Sequence, residues 1–136
     1  MAYEKPLPIV NSDNKSFWDE CRRHRLTFQK CRACGHLRWP PSFLCPECLS
    51  EACDCQVSRG EGWVYSFVVY HEAYHPGFKG DLPYVVALVA LDEGPRFLTQ
   101  LIHYEPEAVF CGMRVRVCWD DVTEAFSLPK FEPRQG

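Results

Sequence analysis

Cys31-Arg-Ala-Cys34 and Cys45-Pro-Glu-Cys48 form two Cys-x-x-Cys pairs with ten residues between them. Each pair can fold as a tight knuckle whose backbone turns round a metal ion. Four thiolates then make a tetrahedral site, and this spacing reads as a zinc ribbon holding Zn²⁺. Four sulfur ligands leave no open position for water, so the predicted site is structural and the function must lie elsewhere. Gly35 follows the first pair, where a left-handed backbone is often needed, and Leu49 stands at the matching place after the second. Cys53 and Cys55 are near enough to compete as ligands but lack knuckle spacing, so they read as free thiols. Cys21, Cys111 and Cys118 read as small apolar residues, and His36 as a substitute ligand.

A second group of chemical residues lies in Tyr70-His-Glu-Ala-Tyr-His-Pro-Gly-Phe-Lys-Gly80. The segment is long for a hairpin loop and carries His71, His75 and Phe78, content that favours a functional loop. The alternative is a packed, hydrogen-bonded loop without catalytic work. No Gly-x-Ser-x-Gly elbow, His-Glu-x-x-His helix, phosphate-cradling loop or dinucleotide fingerprint is present. A Cys–His pair assembled only by the fold stays open. These residues describe a binding or scaffolding module more than a self-sufficient enzyme.

The elements that position these residues follow from periodicity. Pro6 and Pro8 predict an extended arm over residues 1–10. A short helix is predicted from Asn14 to about Arg25, with Phe17, Trp18 and Cys21 on one face. Such a helix is marginal alone, so its aromatic face must dock. Leu26 to Lys30 reads as a strand into the first knuckle, and residues 50–60 as a polar connection. Beyond Gly62, five short strands are predicted at 63–70, 83–91, 96–103, 113–119 and 125–131, with no long helix between them. They suggest a small closed barrel of OB type. The predicted organisation is an arm and helix over 1–25, a zinc ribbon over 26–58 and an OB-fold domain over 59–136.

Composition bounds the function classes. The 136 residues are 46% hydrophobic and 14% aromatic, as in a globular chain with one ordinary domain or two small ones. No apolar run is long enough for a transmembrane helix, so no membrane partner is expected. Met1–Val10 lacks a basic segment followed by an apolar one, and the nine cysteines are read in a reducing cytoplasm. The net charge is −3, yet residues 15–38 hold seven Lys and Arg against Asp19 and Glu20. A local basic patch on an acidic chain suits an anionic small molecule or acidic partner better than bulk nucleic acid. A solvated helix and ribbon surface is the bland alternative.

Several ordered motifs resemble one known family. They are Phe17-Trp18, Leu26-Thr-Phe-Gln-Lys-Cys31-Arg-Ala-Cys34-Gly35, Arg38-Trp-Pro-Pro41, Cys45-Pro-Glu-Cys48 and Gly62-Trp-Val-Tyr-Ser-Phe67. His75-Pro-Gly-Phe78, Pro83-Tyr-Val-Val-Ala-Leu-Val89, Leu91-Asp-Glu-Gly-Pro-Arg96, Gly112-Met-Arg-Val115 and Leu128-Pro-Lys-Phe131 continue the series to about Pro133. Together they resemble the proteins catalogued as domain of unknown function 35, which join a rubredoxin-like zinc ribbon to an OB-fold and occur beside acyl-CoA enzymes. Leu49 in place of glycine, with Cys53 and Cys55, departs from the usual pattern.

The resemblance implies a non-catalytic accessory subunit. It would bind a thiolase-superfamily enzyme in a hetero-oligomer and complete its acyl-CoA site. The partner would be a thiolase or an aldolase that shortens steroid side chains. The alternative partner is a hot-dog-fold enoyl-CoA hydratase. The partner would carry the catalytic groups, and a CoA thioester would be the shared ligand. Phe17, Trp18, Trp39 and Phe43 are the expected partner interface, with packing inside the chain as the alternative for each. His71, His75, Phe78 and Lys79 are the expected edge of the acyl-CoA channel. Two rivals remain at this stage: an enzyme using the His71/His75 loop, and a single-stranded nucleic-acid module stacking bases on exposed aromatics.

Overall fold

Apolar and β-branched residues drive two small β-structures, and a computed structural model describes them over residues 5–134. Of the predicted arm, residues 1–4 lie outside the described residues, and residues 5–10 contain no helix or strand. Asn11 organises the helix start: its Oδ1 accepts from the amides of Asp13 and Asn14 at 2.9 and 3.0 Å. Helix α1 then runs only over Lys15–Cys21, shorter than predicted. The amides of Arg23 and Arg25 turn back onto the Glu20 carbonyl, and His24 takes a left-handed φ of 58°, which ends the helix. One turn apart, Phe17 and Cys21 are the buried pair of α1.

The ribbon is a three-stranded antiparallel sheet of order β2–β1–β3, made from β1 (Thr27–Cys31), β2 (Leu37–Arg38) and β3 (Cys53–Val57). Strand β3 lies within the stretch expected to be a polar connection, which corrects that reading. Its five residues pair in full with β1, from Thr27↔Val57 to Cys31↔Cys53. A strand whose exposure pattern does not alternate is created here by its neighbour's ladder rather than by its own apolar period.

Five further strands close a barrel of order β4–β5–β6–β8–β7, with β7 returning to β4. They are β4 (Glu61–Tyr70), β5 (Tyr84–Leu91), β6 (Arg96–Leu101), β7 (Arg114–Asp121) and β8 (Ser127–Pro133). This is the expected OB-type barrel. The predicted strands are recovered with no end shifted by more than two residues. A register shift between Val64 and Ser66 lets β4 bend, so that it pairs with β5 along its length and with β7 at its start. Gly62 permits the closest approach there: a Cβ at this position would stand 2.3 Å from the Ala90 carbonyl oxygen. Among the described residues, no helix is long and apolar enough to cross a membrane.

One core joins ribbon, helix and barrel. Val64, Val89, Val115 and Phe131 fill the barrel, while Phe17, Cys21, Leu26 and Phe28 extend the same cluster under the helix and ribbon. The joint is aromatic. Trp39, just after β2, lies 4.5 Å from the ring of Phe97 on β6, and Phe17 lies 5.9 Å from Trp39. On the other flank, His24 stacks on Trp119 at 5.2 Å and its Nε2 is 2.8 Å from Asp121.

Candidate functional site

The two knuckles are built by matching backbone turns. The amide of Gly35 donates to the Cys31 carbonyl at 2.9 Å, and the amide of Leu49 to the Cys45 carbonyl at 2.8 Å. Gly35 has φ 78° and Leu49 φ 65°, so Leu49 adopts the left-handed conformation that glycine takes without strain. Cys31, Cys34, Cys45 and Cys48 bring their sulfurs within 4.8 Å of one another. Cys31 and Cys48 have their sulfurs 3.5 Å apart, and Cys34 and Cys45 3.6 Å. A tetrahedron with Zn–S bonds of about 2.3 Å has sulfurs about 3.8 Å apart, so this donor set fits Zn²⁺ in both chemistry and spacing. Cys53 and Cys55 are not in this cluster, as their spacing predicted.

Backbone amides tune the metal-free thiols. The Cys34 amide, against burial and with help from the Ala33 amide, pulls Cys31 down to about 6. For Cys34 the His36 amide favours the thiolate, but burial and the neighbouring sulfurs outweigh it and push the thiol up to about 12. Thiols this close resist ionising together, which is the electrostatic problem a divalent cation removes.

The fold sorts the expected interface residues. Phe17 is buried in the core, so it is a packing residue and not a surface anchor. Trp18 and Trp39 are half-buried against the same core, whereas Phe43 is 61% exposed. In the 71–80 segment, His75 Nδ1 accepts from the Gly77 amide at 3.0 Å, capping a short 3-10 turn over Pro76–Asp81. Phe78 stacks on Tyr84 at 5.1 Å beneath the ammonium of Lys5. His71 and Lys79 are exposed. The structure thus brings His75 and Phe78 into one packed loop and leaves His71 and Lys79 at its surface.

The basic stretch is partly neutralised. Lys15 pairs with Asp19, Arg23 and Arg25 with Glu20, and Arg32 with Asp54. Arg38 behaves differently and was missed as a special residue. It is buried, with Nε donating to Gln29 Oε1 at 2.7 Å and Nη2 to the Ser42 carbonyl at 3.0 Å. Its position beside a proline pair in a two-residue strand gave no periodic signal of burial.

The fold does assemble one Cys–His neighbourhood, His103, Cys118 and Glu132. His103 Nδ1 lies 2.6 Å from Glu132 Oε1, and Arg116 Nε donates to Glu132 Oε2 at 2.8 Å. Burial, then the Glu132 charge, pushes the Cys118 thiol up to about 11. A thiol held protonated in this way is a poor nucleophile.

Comparison with known proteins agrees with this architecture. Residues 18–54 match the family described as the ChsH2 rubredoxin-like zinc ribbon domain, and residues 56–120 the ChsH2 C-terminal OB-fold domain. A probable enoyl-CoA hydratase alpha subunit of Thermomonospora curvata is 40% identical over 95% of this chain, which spans 40% of that protein's length. A DUF35 domain-containing scaffold protein of Methanocaldococcus jannaschii is 34% identical over 75% of this chain and 72% of its own. Among solved structures, a chain of the Ltp2-ChsH2(DUF35) aldolase is 40% identical with a TM-score of 0.86, covering 93% of this chain and 98% of that one. With its ribbon, its barrel and these relatives in agreement, the chain belongs to the DUF35 family.

Proposed function

We propose that this chain is a non-catalytic accessory subunit that binds a thiolase-superfamily enzyme and completes its acyl-CoA site. The observation that carries the reading is the likeness to a chain of the Ltp2-ChsH2(DUF35) aldolase, at 40% identity and covering 98% of that chain. The chain's own geometry is consistent with a supporting role. Its four-cysteine centre has no ligand position left for substrate, and His75 is engaged as a turn cap. We read residues 26–58 as the ribbon module and 59–136 as the barrel module.

Cys31, Cys34, Cys45 and Cys48 would hold Zn²⁺, which supplies folding energy to a ribbon too small to be stable on its own core. The chain's own residues do the rest: Trp39 and Phe17 fix the ribbon on the barrel, and Phe43 offers an apolar contact outward. His71 and Lys79 are exposed, and in this reading they would edge a bound CoA thioester with His75 and Phe78. We place the protein in the cytoplasm.

Co-purification with the thiolase-like subunit from the same cell tests this. The complex should cleave a steroid side-chain acyl-CoA by retro-aldol reaction, and the isolated chain should not. Turnover of an acyl-CoA by the isolated chain would overturn the proposal. A second reading, partnership with a hot-dog-fold enoyl-CoA hydratase, is favoured by the 40% identity to part of a hydratase alpha subunit. Recovery of a hydratase in place of a thiolase-like subunit would select it.

A further inference from the structure

Strand β3 sets a free thiol opposite a metal ligand. Cys53 is the register partner of Cys31 at the knuckle end of the β1–β3 ladder. The Ser58 amide donates to the Leu26 carbonyl at 2.7 Å, and the Arg32 amide to the Ala52 carbonyl at 3.0 Å. These two bonds fix the phase of the ladder between them. Phe28↔Gln56 and Lys30↔Asp54 are its hydrogen-bonded pairs, and Cys31↔Cys53 is a non-hydrogen-bonded one. The Cys31 amide agrees, since it donates at 2.9 Å to the His36 carbonyl on the side of β2. In such a pair the Cα atoms stand about 4.5 Å apart and both side chains leave the same face of the sheet. A disulfide spans Cα separations of about 4.4–6.8 Å, so one can close here without moving the backbone.

The two sulfurs differ in access. Cys31 is buried, whereas Cys53 is part-exposed. A depression of about 180 Å³, lined by Thr27, Gln29, Pro41, Cys53 and Cys55, lies on this face of the sheet and has room for a small solute. A solute arriving there meets the Cys53 sulfur before that of Cys31. Cys55, two residues on and more exposed, shares the face but opposes Gln29, so no sulfur stands across from it. Cys34 and Cys48 are exposed as well, but their sulfurs belong to the metal cluster.

We propose that Cys53 is an oxidation site that disarms the metal centre through Cys31. The oxidant is a hydroperoxide. The Cys53 sulfur attacks its O–O bond, keeps one oxygen as a sulfenic acid and releases the other as water or an alcohol. The Cys31 thiolate then leaves the ligand set and attacks the Cys53 sulfur. The S–S bond forms, the S–O bond breaks, and the departing hydroxide takes a proton from solvent. The two sulfurs together lose two electrons, and the peroxide gains them. Three cysteines are left for the cation, too few to close a tetrahedron of sulfur. The ribbon then loses the Zn²⁺ that supplies its folding energy. A thiol reductant and fresh Zn²⁺ reverse both changes. The proposal stands on this chain alone and does not depend on the accessory-subunit reading.

The test uses the full chain, loaded with Zn²⁺ under a thiol reductant and then freed of the reductant. Hydrogen peroxide is the probe, and a chromophoric chelator reads the released Zn²⁺. Peptide mass spectrometry maps the disulfides after free thiols are blocked. Cys31–Cys53 should be the first disulfide to form, in step with Zn²⁺ release. Cys53→Ser should slow the release at least tenfold, and Cys55→Ser should leave its rate unchanged. Dithiothreitol with added Zn²⁺ should restore the metal content. First products confined to the four ligands, such as Cys31–Cys48, overturn the proposal, and so does a Cys53–Cys55 disulfide. Release from Cys53→Ser at the parent rate overturns it too. The disulfide map is read on the unsubstituted chain, so it decides even where a variant fails to hold its metal.

Discussion

Trp39 and Phe97 pack with ring centroids 4.5 Å apart, so a residue beside the metal ribbon completes the core of the barrel. Trp39→Ala would open a cavity at that joint and should cost about 3 kcal/mol, the low end for a buried aromatic because the indole is half-exposed. Denaturant unfolding of the metal-loaded chain measures it. Phe43→Ala, whose ring is 61% exposed, should change the stability of the isolated chain by less than about 0.5 kcal/mol.

Leu49 holds φ 65° in the second knuckle while its side chain is 71% exposed. A left-handed backbone costs a residue with a Cβ roughly 1–2 kcal/mol, and little burial offsets it here. Leu49→Gly should therefore stabilise the folded chain by about 1 kcal/mol, after the greater entropy of an unfolded glycine is subtracted. Thermal unfolding at fixed metal concentration reads the change. A drop in Tm would show that Leu49 makes a contact that outweighs the strain.

Much of this architecture was legible because its signals are local. Knuckle spacing fixes the ligands, and alternation such as Met113, Val115, Val117 and Trp119 marks a half-buried strand. Strand β3 was not legible, since Cys53-Asp-Cys-Gln-Val57 has no apolar period and is held by pairing with β1. The roles of Phe17 and Trp39 were also undecided. An aromatic that welds two modules and one that meets a partner look alike until the modules are placed. Arg38 reads as one more surface cation, and only the Gln29 and Ser42 acceptors reveal a buried guanidinium.

The cysteine cluster makes a stoichiometric prediction. One Zn²⁺ or Co²⁺ should bind per chain, and Co²⁺ should show the intense sulfur-to-metal charge-transfer bands of a tetrathiolate site. Cys53→Ser and Cys55→Ser should leave both content and spectrum unchanged, because neither sulfur joins the four-atom cluster. Cys45→Ser should reduce metal content sharply and unfold the ribbon, since Cys45 is fully buried and supplies one of the four clustered sulfurs. Metal retained by Cys45→Ser but lost in Cys53→Ser would reassign the ligand set.

Asp92 and Arg114 form a two-point ion pair across the β4–β7 end of the barrel, with both N–O distances at 2.9 Å. Those hydrogen bonds, against partial burial, hold the Asp92 carboxyl below its usual range. A carboxylate whose pKa is depressed in the folded state stabilises the fold above its unfolded pKa, about 3.9. That contribution is lost as pH falls from there through the depressed folded value. Glu132 is shifted in the same direction by His103 and Arg116, so acid should act on two corners of the barrel. Asp92→Asn should be less stable than the parent chain at neutral pH, and the gap should close as pH drops below about 4. Urea unfolding at a series of pH values follows it. Placing both chains in an Arg114→Met background should remove most of the gap at every pH, because the shift comes first from Arg114. A gap that persists unchanged to low pH would show that Asp92 stabilises the fold by shape or backbone contacts instead of charge.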